Sequence, residues 1–143
     1  MPMSTFANQF ARRFIPVLGI LLSCTCGPMA SSLRAAALGE FESATDVGVI
    51  EVKGSSESLP DKGQYRVTGS GANIWAKEDA FQFLSKKVSG DLALTMDVGW
   101  VGEGKIKHRK ACWMVRQGLE ADAPYADVAV HGDGLISLQY RLV

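Results

Sequence analysis

Large apolar side chains alternate with small or polar ones along Gly90–Val101: Leu92, Leu94, Met96, Val98 and Trp100 fall on every second position. A period of two gives a strand with one apolar face, and this stretch is expected to be the central strand. Ala80–Val88 carries Phe81 and Phe83 two apart, which suits a strand better than a helix over Lys77–Lys87. With Ser89-Gly90 as a tight connection, the two stretches are expected to form an antiparallel hairpin. Further strands are expected at Asp46–Val52, Gln64–Thr68, Lys110–Arg116 (a second neighbour of the central strand), Ala126–His131 and Leu135–Val143. His131-Gly132-Asp133-Gly134 reads as the hairpin turn joining the last two. Lys53–Gly63 reads as loop, and within it Pro60-Asp61-Lys62-Gly63 is a turn in which Pro fixes φ and Gly admits φ > 0. Short strands at close spacing predict an all-β fold, an antiparallel β-sandwich or barrel.

The N-terminus breaks the pattern. Arg12-Arg13 precedes an apolar run, Phe14–Leu22, and small residues follow. This layout predicts residues 1–37 as a helical signal segment and linker, with residues 38–143 as the domain. The run falls short of the about 20 residues that span a membrane. A disordered leader or an interfacial helix is the alternative. Leu21-Leu22-Ser23-Cys24 resembles a lipobox, which would lipidate Cys24 and tether the domain to a membrane surface. Cleavage at Ala30 or within Ala35-Ala36-Ala37 is the other option. Either route predicts a periplasmic or secreted protein. The chain also stops in mid-strand at Arg141-Leu142-Val143, which predicts a sandwich incomplete at its C-terminus.

Charge and cysteines narrow the functions. The leader holds three arginines and no acid, so Leu38 onward carries the remaining 12 basic residues against all 15 acids, a net −3. A mildly acidic domain does not suit general nucleic-acid binding. Cys24 and Cys26 lie in the leader, leaving Cys112 without an internal disulfide partner and read as a small buried hydrophobe.

Several segments resemble a bacterial domain family of unknown function. Gly69-Ser70-Gly71-Ala72-Asn73-Ile74-Trp75 followed by Asp79-Ala80-Phe81-Gln82-Phe83 resembles its G-x-G-x-x-x-W…D-x-F-x-F segment, and Ser89-Gly90-Asp91 its S-G-D step. His108–Leu119 resembles a later stretch and matches a TolB-like or biopolymer-transporter subgroup more closely, and Tyr125–Gly134 and Leu138-Gln139-Tyr140-Arg141 complete the resemblance. The resemblance spans about Phe41 to Arg141. It implies a concanavalin A-like lectin/glucanase jelly roll of which this chain is the N-terminal part, since members run on past Q-Y-R with more strands and often a β-propeller.

Catalytic chemistry finds little support. Glu120-Ala121-Asp122 starts a same-face carboxylate pair of the kind glycosidases need, but Pro124 occupies the next position. His131 and Asp133 lack a third metal ligand, and Asp79, Asp127 and Asp133 form no dense acidic loop for Ca²⁺. No cofactor, metal or catalytic group is expected. Binding is the better expectation. Trp75 beside Asn73 is the ring best placed for exposure, and Lys107, His108 and Arg109 belong to a basic patch suited to an anionic sugar, a lipid headgroup or an acidic partner. Trp100 and Trp113 read as core. The expected role is a non-catalytic lectin-like module for a glycan or envelope partner, with a module packing on a propeller or sister domain as the alternative and a glycoside-acting enzyme last.

Overall fold

A computed structural model describes residues 4–9 and 38–142. The described chain is all-β, with one 3-10 turn at Pro60–Lys62. The strands are β1 (Ser4–Gln9), β2 (Ser43–Val47), β3 (Ser55–Leu59), β4 (Gln64–Gly69), β5 (Phe81–Ser85), β6 (Asp97–Trp100), β7 (Lys110–Arg116), β8 (Tyr125–His131) and β9 (Ile136–Arg141). They form three antiparallel sheets, ordered β3-β4-β1-β6, β2-β5 and β7-β8-β9.

The β8–β9 hairpin forms as the Gly-Asp-Gly turn predicts. Asp133 Oδ1 accepts from Leu135 N–H, and Gly134 N–H donates to His131 O, so the turn closes on its own backbone. The turn at Pro60–Gly63 also forms, with Gly63 at φ +60°.

Five strand expectations are corrected. The central strand shrinks to Asp97–Trp100: its ladder to β1 ends at the Gln9–Asp97 pair, and the alternating residues before it pair with no strand among the described residues. It makes no hairpin with β5, which pairs instead with β2. Nor is β7 its neighbour, since β7 pairs with β8. The first strand ends at Val47 rather than Val52, because Gly48 turns the chain at φ +72° against the Asp79 carbonyl. Ser55–Leu59, read as loop, is strand β3, held on β4 by backbone pairing and a 2.8 Å Glu57–Arg66 ion pair. Of the leader, Ser4–Gln9 is strand β1, while the apolar run, Cys24 and Cys26 lie outside the described residues.

The buried apolar residues are few and mostly small: Leu38, Val47, Ile74 and Tyr125 together with four alanines. The two faces of the β7-β8-β9 sheet explain where the larger side chains went. Residues directly opposite share a face, so one face carries Lys110, Cys112, Met114 and Arg116, then Tyr125, Asp127, Ala129 and His131, then Ser137, Gln139 and Arg141. On β8 this polar face is the buried one. The opposite face carries Trp113, Val115, Val128, Ile136, Leu138 and Tyr140.

Candidate functional site

The loop before β5 covers the polar face. Its anchor is Asp79, which is 1% exposed. Asp79 Oδ2 accepts from Arg116 Nη1 at 3.0 Å and from Arg141 Nη2, and Oδ1 accepts from Arg141 Nη1 at 3.1 Å. Arg141 therefore grips both carboxylate oxygens, a bidentate pair of the stronger kind. Other guanidinium donors reach backbone oxygens: Arg116 Nε donates to Gly118 at 2.7 Å, and Arg141 Nη2 to Ala121 and Ala123 at 3.2 and 3.0 Å, while Arg141 Nε is buried without a partner. Phe81 lies 5.3 Å from the Arg116 guanidinium, and Tyr125 lies 4.8 Å from that of Arg141. The bonds to Asp79 hold the Arg141 guanidinium above its ordinary pKa. Asp79 N–H also donates to Ala121 O, so the covering loop is pinned to the β7–β8 loop through its backbone. Gly71 and Gly48 make this close approach possible: a Cβ on Gly71 would overlap the Ala80 carbonyl, and one on Gly48 the Asp79 carbonyl.

Next to this staple lies Asp127, 2% exposed, with neither oxygen accepting a well-formed hydrogen bond. Burial pushes its pKa up to about 6. The Lys110 charge opposes the rise, Asp79 adds to it, and the weakly donating Cys112 thiol also opposes it. Burial and Asp127 together push the Cys112 thiol up to about 12, with Lys110 opposing, so this cysteine is an inert thiol. Tyr125 is raised for the same reasons, burial first and then Asp127. The arrangement is a buried polar core rather than an open reaction centre.

Of the five expected binding residues, Asn73, His108 and Arg109 line one large cleft, and Trp75 shares a small depression with Asn73. Trp75 is 69% exposed and borders a small depression shared with Asn73, Lys77 and Glu78. Asn73 Oδ1 accepts from Lys110 Nζ at 2.8 Å and from Ile74 N–H at 2.9 Å, so its side chain is committed to holding the loop. Arg109 lies with its guanidinium 4.5 Å from the Trp100 ring centre, and His108 sets its ring 6.4 Å from that of His131. Asn73, His108, Arg109 and Lys110 line the large cleft described below, whereas Trp75 and Lys107 do not. Cys24 lies outside the described residues. Glu120 and Asp122 sit exposed on the β7–β8 loop. Among the described residues, no group of three or more His, Cys, Asp or Glu side chains is arranged to hold a metal ion.

Sequence reading missed Asp79, Arg116, Asp127 and Arg141 as a group. The signal was present in the alternation Tyr125, Asp127, Ala129, His131, which shows β8 to be polar on one side. The pairing that brings two arginines onto one aspartate from separate strands was not in the local pattern.

The open features are apolar. A cleft of about 1610 Å³ runs beside β7, lined by Phe41, Tyr65, Val67, Phe83, Leu84 and Trp113 among others. It exceeds the roughly 300–1,000 Å³ of ordinary small-molecule sites. Phe41 packs edge-on to Tyr65 at 5.0 Å and lies 6.4 Å from Trp113, so aromatic side chains bridge the strands at its wall. Beyond it, the apolar face of β8 and β9 is uncovered: Ile136 is 66%, Leu138 72% and Tyr140 66% exposed. Comparison of the chain with protein-family models, with curated proteins and with solved structures found no match.

Proposed function

We propose that the chain is a non-catalytic packing module of the cell envelope, a lectin-like β-sandwich in which the apolar face of β7-β8-β9 is completed by a partner. The observation that carries this reading is the outward row Ile136, Leu138 and Tyr140, exposed on β9 beside Val128 and Val115, which are 46% and 47% exposed. Alternating apolar residues on a sheet face are the inner surface of a two-layer β-fold, where a second sheet stacks at about 10 Å. The polar face cannot play that part, because the Asp79 loop already covers it. The partner is therefore a β-sheet domain that brings an apolar face of its own. Contiguous exposed apolar patches mark interaction surfaces.

The test is fluorescence of a hydrophobic dye such as bis-ANS with the natural chain and with an Ile136→Lys/Leu138→Lys variant. Strong binding by the natural chain, reduced severalfold in a variant with unchanged circular dichroism, is the expected result. A natural chain that leaves the dye dark contradicts the reading.

A second reading, glycan binding, has one specific observation in its favour. Trp75 is a broad exposed ring bordering a depression with Asn73, Lys77 and Glu78, the mix of apolar surface and polar neighbours on which a sugar ring stacks. Quenching of Trp75 emission by an oligosaccharide, absent in Trp75→Ala, tests it. A blank titration across neutral and acidic oligosaccharides removes it.

A further inference from the structure

The loop between β6 and β7 meets the turn between β8 and β9 at one end of the sheet. Gly132 N–H donates to Arg109 O at 2.8 Å, and Arg109 N–H donates to Ile106 O at 3.3 Å, which closes a turn over Ile106–Arg109. A Cβ on Gly132 would fall 2.8 Å from Ile106 O and 2.6 Å from Arg109 Cγ, so the two turns are in direct contact. The Arg109 guanidinium on the Trp100 ring and the edge-on His108–His131 pair brace the same turn from β6 and β8. The braced turn presents Lys105-Ile106-Lys107-His108, and every residue of that row is exposed. Lys105 and Lys107 make no ion pair among the described residues. Between them Ile106 is 41% exposed, and Leu135 on the neighbouring turn is 57% exposed. Charge is segregated toward this end. The two turns carry Lys105, Lys107, Arg109 and Lys110 against Glu103 and Asp133, whereas the rest of residues 38–143 holds eight basic residues against thirteen acids.

We propose that this end of the sheet docks on a membrane surface rich in anionic phospholipid. Ile106 enters the headgroup layer, and Lys105 and Lys107 on either side of it lay their alkyl stems along that layer and bring their ammonium groups to the lipid phosphates. Arg109 and Lys110 add charge from just behind the turn, where the attraction still acts within a screening length. The convex shape of the site favours a lipid surface over an acidic protein. A stable protein interface buries on the order of 1,000 Å² or more with matched shapes, which one protruding turn does not offer. A lipid surface sets no shape and yields to a protrusion. The neighbouring apolar residue, Leu135, widens the part that enters the headgroup layer. Two or three basic residues give weak, reversible docking, at about fivefold in affinity for each lysine near an anionic surface. This goes beyond the proposed function, because it concerns the end of the sheet and not what covers its face.

Co-sedimentation of the full chain with vesicles tests the docking, with phosphatidylcholine alone and with an equal mixture of phosphatidylcholine and phosphatidylglycerol. The chain is expected to bind the mixed vesicles at least about tenfold more tightly, and to lose most of that margin when salt rises from about 50 to about 200 mM. Lys105→Gln/Lys107→Gln should weaken binding to the mixed vesicles about twentyfold, and Ile106→Ser about fivefold. Lys53→Gln/Lys62→Gln makes the same change of charge at exposed positions before β3 and in the Pro60–Lys62 turn, and should alter binding less than about twofold. The apolar run Phe14–Leu22 is common to all of these chains, so the ratios between them read the turn alone. Equal binding to the two kinds of vesicle, equal losses in the two lysine pairs, or tighter binding to polyglutamate than to the mixed vesicles overturns the proposal. A chain that binds bis-ANS but not the mixed vesicles overturns the docking alone and leaves the packing reading standing. A chain that binds the mixed vesicles and leaves the dye dark supports the docking and removes the packing reading.

Discussion

Asp79 and Arg116 meet at 3.0 Å with side chains 0% and 1% exposed, joining the loop before β5 to an arginine 37 positions later in the chain. Arg141 closes on the same carboxylate from β9, so one aspartate ties together a loop, two strands and the β7–β8 connection. Two buried positive charges depend on it.

Replacing Asp79 by Asn keeps the shape and removes the charge. The guanidiniums of Arg116 and Arg141 are then left without their counterion, and breaking a buried pair by removing one partner costs about 3–5 kcal/mol. Urea unfolding should show a loss of that order or a chain that fails to fold. Lys86→Ala, which removes a half-exposed pair with Glu40 at 3.8 Å, should change stability by less than about 1 kcal/mol in the same measurement.

Gly71→Ala tests the close approach that seats the anchor. Its Cβ would overlap the Ala80 backbone, and overpacking against backbone costs about 1–3 kcal/mol or more. Gly54→Ala meets instead the Gln82 and Asp46 side chains, which are able to rotate away. Thermal unfolding should place Gly71→Ala clearly below Gly54→Ala.

Asp127 makes stability depend on pH. Its pKa rises on folding from 3.8 to about 6, so the folded state favours the protonated form. The contribution of this group is fully present below about pH 4 and is lost as pH rises through about 6. Asp127→Asn should flatten that slope. The gain over the natural chain should be near zero at pH 4 and amount to a few degrees in Tm at pH 7.5. Melting curves at the two pH values check it; an equal shift at both would show that the carboxylate is not the cause.

The all-β character of the chain was legible because strand alternation and turn residues are local signals. The β8–β9 hairpin is the clearest case: alternation on both sides of Gly132-Asp133-Gly134 fixes both strands and their pairing. Strand β3 was hidden because its residues, Ser55-Ser56-Glu57-Ser58, look like loop, and what makes them a strand is the ladder to β4. Leu92–Met96 shows the reverse, an alternating stretch with no pairing strand among the described residues. The polar core was hidden for a related reason. Alternation on β8 separates Tyr125, Asp127 and His131 from Ala126, Val128 and Val130, but local pattern alone assigns the apolar set to the interior. The sheet buries the polar set, because Asp79 and the two arginines supply the partners that make its burial tolerable.

The uncovered apolar face is the claim on which the functional account stands, and Val128 at the centre of that face tests it most directly. Val128→Lys places a charge on the middle strand, between Trp113 and Leu138. If the face is open, the lysine reaches water and urea unfolding shows a loss of no more than about 1 kcal/mol, the scale of strand propensity. A loss of about 3 kcal/mol or more, the cost of forcing an unpaired charge into a packed interior, would mean that the face is already covered within the folded chain, and would contradict the account.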